Sequence, residues 1–260
     1  MCIGGTEMAK TAFITGATSG IGLASAKALA KEGYELALAA RNGEKLAEVK
    51  DDIEKEYGVP VMTYVLDVRN SEEIKTVVSD FLAKKGAPDV LLNNAGLARG
   101  LESYGETEES DILQMIDTNI KGLFLMTHEF LPAMVKKNSG HIVDLGSTAG
   151  LYAYPGAAVY CATKAAVKTF SDGIRMDVID TDIKVTTIQP GLVETNFSEV
   201  RFHGDKERAA AVYAGIEALQ AEDIADAVVY AVTRPKRMQV TDIVIMANQQ
   251  AAGFMVSKKK

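Results

Sequence analysis

The stretch Ala12-Phe13-Ile14-Thr15-Gly16-Ala17-Thr18-Ser19-Gly20-Ile21-Gly22 decides the fold. Its first four residues read as a buried strand, and the glycine-rich turn after them opens onto a helical pattern from Ile21 to Lys31. Glycines at such a junction let the chain turn sharply, let backbone N–H groups approach a pyrophosphate and let the helix lie close to the strand. The helix N-terminus itself favours negative charge. The spacing GxxxGxG differs from the dinucleotide fingerprint GxGxxG, so the phosphate contact it implies is arranged differently. A glycine-rich turn with no ligand would read the same locally, so the rest of the chain must decide.

Outward from this turn, short apolar runs alternate with longer helical ones, the mark of repeated βαβ units. Strands are expected at 12–15, 35–40, 61–66, 90–94, 141–146, 184–189 and 242–247, and helices at 21–31, 43–57, 71–85, 110–136, 158–179 and 222–233. The runs are mostly continuously apolar, as in strands covered on both faces. The expectation is a Rossmann-type doubly wound α/β sheet of seven parallel strands with helices on both faces, built as one domain over residues 1–260. A long connection at about 191–221 follows the sixth strand, carries its own helical piece and is a candidate substrate loop.

Composition narrows the function classes. The 260 residues carry 28 Lys+Arg against 35 Asp+Glu, a net charge of −7, which disfavours a phosphate backbone as partner. The basic run Lys258-Lys259-Lys260 reads as a solvated tail. No stretch of 18 apolar residues and no export signal at MCIGGTEMAK is found, so a cytoplasmic protein without membrane or nucleic-acid partners is expected. Cys2 and Cys161 form neither a disulfide framework nor a metal spacing, and Cys161 reads as a small core residue. His128, His141 and His203 share no metal-ligand spacing, so no metal is expected.

Three groups of residues carry chemistry. The second strand ends at Ala40 with Arg41-Asn42 and no carboxylate, which favours a cofactor with a 2′-phosphate, NADP, over NAD. Asp67 and Asn93-Asn94-Ala95-Gly96 end the third and fourth strands on the ligand-binding edge. Tyr160 and Lys164, four apart on one helix face, follow Ser147 at the end of the fifth strand. Tyr160 is the only tyrosine with a lysine one helical turn on. An adjacent ammonium would lower the phenol pKa from its usual value near 10, so that Tyr160 exchanges a proton with a substrate oxygen held by Ser147.

These residues resemble the short-chain dehydrogenase/reductase family over about residues 11–250. Thr15 to Gly22 is similar to its TGxxxGxG turn, Asn93 to Gly96 to its NNAG element, and Ser147, Tyr160 and Lys164 to its catalytic serine, tyrosine and lysine. The resemblance implies that Asn119 completes a proton relay through a bound water to the lysine. It implies that Pro190-Gly191, Val193 and Thr195 lie against the nicotinamide, that Lys164 also binds ribose, and that Thr18, Ser19, Ile21 and Val68 join the cofactor site. It further implies the strand order 3-2-1-4-5-6-7 and a dimer or tetramer, of which a homotetramer is expected.

Within the family, the strings 115–123, 139–150 and 188–205 are most similar to bacterial NADP-dependent 3-hydroxy acid dehydrogenases, including serine 3-dehydrogenases. Serine, allo-threonine and 3-hydroxypropionate are the implied substrates. A hydroxy acid brings a carboxylate, and an acidic protein needs a placed cation to receive it. Arg201 in the long loop is the first candidate and Arg99 the second. A general ketone or 3-oxoacyl reductase is the alternative enzyme. A non-catalytic NADP-sensing regulator is the alternative of another class, disfavoured because tyrosine and lysine are both kept.

Overall fold

The computed structural model describes residues 9–253 and 255–258. Cys2, the start of MCIGGTEMAK and the final Lys259-Lys260 lie outside the described residues. The chain runs β1 (Thr11–Thr15), α1 (Gly20–Lys31), β2 (Glu35–Ala40), α2 (Gly43–Tyr57), β3 (Val61–Val65), α3 (Ser71–Lys85), β4 (Val90–Asn93), α4 (Glu109–Ile116) and α5 (Leu123–Lys137). It continues through β5 (Gly140–Leu145), α6 (Ala158–Asp177), β6 (Ile183–Pro190), α7 (Phe197–Arg201), α8 (Lys206–Tyr213), α9 (Ala221–Val232) and β7 (Asp242–Ile245). The strands form one parallel sheet in the order β3-β2-β1-β4-β5-β6-β7, as expected. The order reverses between β1 and β4, which leaves a crevice at their carboxyl ends, where open α/β sheets bind ligands.

Alternation along each strand sends side chains into two cores. Ile14, Leu38, Leu92, Val143 and Ile188 pack with Leu29, Leu46, Ile53, Ile224 and Val228 from α1, α2 and α9. On the other face Phe13, Leu91, Ile142 and Val185 meet Phe81, Met126, Phe130 and Met134 from α3 and α5, with Phe13 within 5.3 Å of Phe81 and 4.9 Å of Phe130 between ring centroids. Local signals fix the helix ends. The Asn70 carboxamide accepts from the Glu72 and Glu73 amides to start α3, and Asn42 accepts from Lys45 N to start α2, which ends at Gly58 in the left-handed region.

One expectation needs correction. The helix expected over 110–136 is not uniform: a π-helical turn, Asp117–Gly122, separates α4 from α5. A π turn inserts a residue without breaking the apolar stripe on either side, so periodicity alone does not reveal it. The connection at 191–221 carries helix, as expected, in two pieces, α7 and α8, and an isolated parallel bridge between Val193 and Leu219 ties its two ends together.

Candidate active site

The carboxyl edge of the sheet opens into one cavity of ≈ 400 Å³. At its floor, Gly16 has φ +66°, and a Cβ at Gly22 would lie 2.3 Å from the Gly16 carbonyl oxygen, so neither position accepts a side chain. Asn94 ties the turn down by donating from Nδ2 to the Thr15 and Gly16 carbonyls, while the Thr15 hydroxyl accepts from the amides of Asn94 and Ala95. Ser19 stands at the start of α1 without making a side-chain cap, so the N–H groups of that first turn remain open to an anion.

The sequence-derived residues converge with three exceptions. Gly16, Thr18, Ser19, Gly20, Ile21, Arg41, Asn42, Asp67, Val68, Asn94, Ala95, Gly96, Pro190, Gly191, Val193 and Thr195 line the cavity, together with Ser147, Tyr160, Lys164 and Arg201. Gly22 lies beneath the turn as packing. Asn119 lies behind the wall, in the π turn, where Nδ2 donates to the Leu97 carbonyl (2.8 Å) and Thr163 Oγ1 (3.0 Å) and Oδ1 accepts from Leu97 N (2.8 Å). A Cβ at Gly96 would come within 3.3 Å of Asn119 Oδ1 and 3.5 Å of Lys164 Nζ, so both side chains adjoin the same glycine.

Arg99 is the third exception, and a correction. Its guanidinium donates to Gln114 Oε1 (2.6 Å) and to the Val200 carbonyl and lies 3.8 Å from Asp111. With Gly100 N donating to the Arg201 carbonyl at 2.9 Å, it fastens the loop after β4 to α7. The residue serves the loop from behind and is absent from the cavity wall.

At the adenosine end, Arg41 is exposed and makes no ion pair among the described residues. Asp67 is held below the usual carboxylate range, first by its hydrogen bonds from Arg69. Arg69, which also lines the cavity, escaped the sequence reading, although a carboxylate two residues before an arginine is a recognisable local pair. The open helix start, the glycine cradle and an uncommitted arginine suit a pyrophosphate dinucleotide with a further phosphate on its adenosine side.

At the other end, Ser147 Oγ accepts from Ala149 N (3.1 Å) and donates to the Pro190 carbonyl (3.3 Å). Lys164, 6% exposed, donates from Nζ to the Leu145 carbonyl at 2.6 Å, and burial pulls its ammonium down to about 8. Tyr160 departs from expectation. Burial pushes its phenol up to about 12, and the cation that opposes this is Arg201, with help from the Ser147 hydroxyl. The lysine reaches past the ring to the end of β5, so in this state it does not bias the phenol as the four-residue spacing suggests.

Arg201 is 8% exposed, and its guanidinium lies 5.1 Å from the Tyr160 ring centroid and 5.5 Å from that of Phe197. It donates to the Tyr154 hydroxyl at 3.0 Å, and its buried Nε has no partner. Neither Glu199 nor Asp205 pairs with it; Asp205 caps α8 instead. Tyr154 also escaped the sequence reading, since nothing in Tyr152-Ala153-Tyr154-Pro155 distinguishes one tyrosine from the other. Among the described residues no His, Cys, Asp and Glu side chains converge as a metal site, and no helix is long and apolar enough to cross a membrane.

Comparison with known proteins agrees with this geometry. The chain is 40% identical over 252 residues to an NADP-dependent 3-hydroxy acid dehydrogenase of Schizosaccharomyces pombe, covering 96% of this chain and 97% of that protein. It is 41% identical over 245 residues to a sulfoacetaldehyde reductase of Chromohalobacter salexigens, covering 94% and 96% respectively. Among solved structures, the closed form of a serine dehydrogenase complexed with NADP+ superposes with a TM-score of 0.88 at 37% identity, over 96% of this chain and all of that one. The family model for short chain dehydrogenases matches residues 10–206, and on that match and these relatives the chain belongs to the short-chain dehydrogenase/reductase family.

Proposed function

We propose that the protein is an NADP-dependent oxidoreductase that interconverts a 3-hydroxy acid, such as serine, allo-threonine or 3-hydroxypropionate, with the corresponding carbonyl compound. The observation that carries this reading is Arg201: a buried guanidinium with a free Nε, over the Tyr160 ring, in the cavity that also contains Ser147, Lys164 and the glycine turn. A buried cation without a counter-ion is costly, and an anionic substrate group supplies one.

The chain's own residues divide the work. The glycine turn and the start of α1 hold the pyrophosphate, and Arg41, beside Asn42, holds the 2′-phosphate that NAD lacks. Pro190, Gly191, Val193 and Thr195 shape the nicotinamide end. When bound, NADP(H) supplies the hydride acceptor or donor. Ser147 holds the substrate oxygen by its hydroxyl, and Arg201 with Tyr154 holds the acid group. Tyr160 Oη gives a proton to the carbonyl oxygen during reduction and takes it back during oxidation. Lys164 favours the phenolate once the cofactor is seated, and Asn119, joined to the Leu97 backbone beside Gly96, orients the water that passes protons to Lys164.

A sulfonate offers the same charge to a guanidinium as a carboxylate, and the likeness to a sulfoacetaldehyde reductase gives this second reading equal footing at the acid subsite. The test is a panel of serine, allo-threonine, 3-hydroxypropionate, sulfoacetaldehyde and uncharged alcohols and ketones, followed by NADPH absorbance with NADP(H) and with NAD(H). Preference for an acid and for NADP supports the reading. Equal turnover of uncharged ketones points to the general reductase, and no turnover of any member leaves a nucleotide-binding protein.

A further inference from the structure

Asp144 is a buried charge with no part in the chemistry above. It is the fifth residue of β5, 1% exposed, on the same face as the core residue Ile142. Its carboxylate accepts from Asn93 Nδ2 (2.8 Å) on β4 and from Ser171 Oγ (2.8 Å) on α6, and Asn93 Nδ2 also reaches Thr127 Oγ1 (2.9 Å) on α5. No basic side chain lies within ion-pair distance of it among the described residues. An ionised carboxylate costs several kcal/mol in such a place, where a residue like Ile142 would cost none.

One neighbour gives the charge a purpose. Lys164 Nζ donates to the carbonyl of Leu145, the next residue of the same strand. The charged groups whose fields act on Asp144 are Lys164 and Arg175, both from α6, while the side chains of β4 and α5 bonded around it are the uncharged Asn93 and Thr127. Arg175 is committed elsewhere, to Asp172 at 2.6 Å and to the Val185 and Thr241 carbonyls. For Lys164 the balance is simpler: burial opposes its charge, and Asp144 is the group that supports it.

We propose that Asp144 is a positioning residue for the active-site lysine: fixed by Asn93 and Ser171, its carboxylate is the buried counter-charge that keeps Lys164 an ammonium. The inference rests on the role given to Lys164 under the proposed function. It adds a buried core-facing residue of β5 to a site otherwise built mainly from residues that line the cavity.

The decisive variant is Asp144→Asn, which can keep both hydrogen bonds. The new amide oxygen accepts from Asn93, and the new NH2 donates to Ser171 Oγ, whose own proton already has the Val167 carbonyl as acceptor at 2.8 Å. Protein labelled at lysine Cε is titrated by NMR without cofactor, the Lys164 signal being the one lost in Lys164→Met. The expected result is a midpoint lower by about one unit in Asp144→Asn, with an unfolding temperature no lower than that of wild type. The alkaline limb of kcat/KM then moves down equally, about a tenfold loss near pH 9 against less than about twofold near pH 6.

Ser171→Ala removes one donor and keeps the charge, so its Lys164 midpoint should stay within about half a unit of wild type. An unmoved midpoint in Asp144→Asn, or an equal fall in Ser171→Ala, makes Asp144 a structural hydrogen-bond acceptor and overturns the proposal. Full activity of Tyr160→Phe and Lys164→Met would instead overturn the proposed function, while the midpoint still reports on Asp144.

Discussion

The two halves of the cavity are built on different terms. The half between β1 and β4 is made of backbone: a glycine turn that excludes side chains, an uncapped helix start, and Asn94 and Thr15 bonded to main-chain atoms of adjacent strands. The half beyond β5 is made of single side chains brought from far apart in sequence. Tyr154 and Arg201 meet at 3.0 Å across 47 residues, above Tyr160 and next to Ser147. A backbone site belongs to the fold and recurs with it, whereas a site of few side chains is redefined by each substitution. On the proposed function, the first half sets the cofactor class and the second the substrate.

The largest effect that can break this comparison is expected at Tyr160. Tyr160→Phe keeps the ring under Arg201 and removes the transferable proton, so turnover should fall at least about a hundredfold while NADP affinity, set in the backbone half, is retained. Single-turnover kinetics with fluorescence titration of NADPH measures both. Loss of cofactor affinity along with turnover would show that the halves are not separable.

Arg41 tests the charged side chain on which the choice between NADP and NAD is proposed to depend. Arg41→Ser should weaken NADP about tenfold or more and leave NAD within about twofold, since NAD has no phosphate for a charge-assisted bond. Equal losses would reduce Arg41 to surface charge.

The pH profile sharpens the contrast in chemistry. A phenol pushed up to about 12 is protonated at neutral pH. Reduction, which consumes that proton, should be level between about pH 6 and 7, while oxidation, which needs the phenolate, should climb by up to about tenfold per unit over the same range. Level profiles in both directions would remove Tyr160 from the rate-setting proton transfer. The smallest effect is expected for Arg99→Met, which frees α7 from behind. It should change kcat and KM by only about threefold to tenfold, in parallel for acids and alcohols, as for a loop anchor.

Sequence reached the two halves unequally, for the same physical reason. The alternation of strands and helices, the glycine turn, Arg41 and the Ser147, Tyr160 and Lys164 set are legible because each sits at a fixed place in a repeating strand–turn–helix unit, whereas the sheet order follows from the family resemblance. Tyr154 was not, because its role depends on how α7 folds back over α6. Sequence ranks Arg201 ahead of Arg99 by its place in the long loop but leaves both as loop arginines at one sheet edge, and packing separates them: Arg99 is spent on Gln114 and the Val200 carbonyl, while Arg201 is buried with a free Nε. The π turn hid because its insertion preserves the apolar stripe, although Asn119 inside it was found by resemblance. Asp144 did leave a signal in His141-Ile142-Val143-Asp144-Leu145, a charge within a core strand.

The most direct test of the central claim, that the side-chain half reads an anionic substrate, is the specificity of Arg201→Met. Methionine fills the space over Tyr160 without the charge. The account predicts that kcat/KM for a 3-hydroxy acid falls about a hundredfold or more, the scale of a broken buried charge pair, while an uncharged alcohol of the same shape stays within about threefold. Parallel losses on both substrates would contradict it.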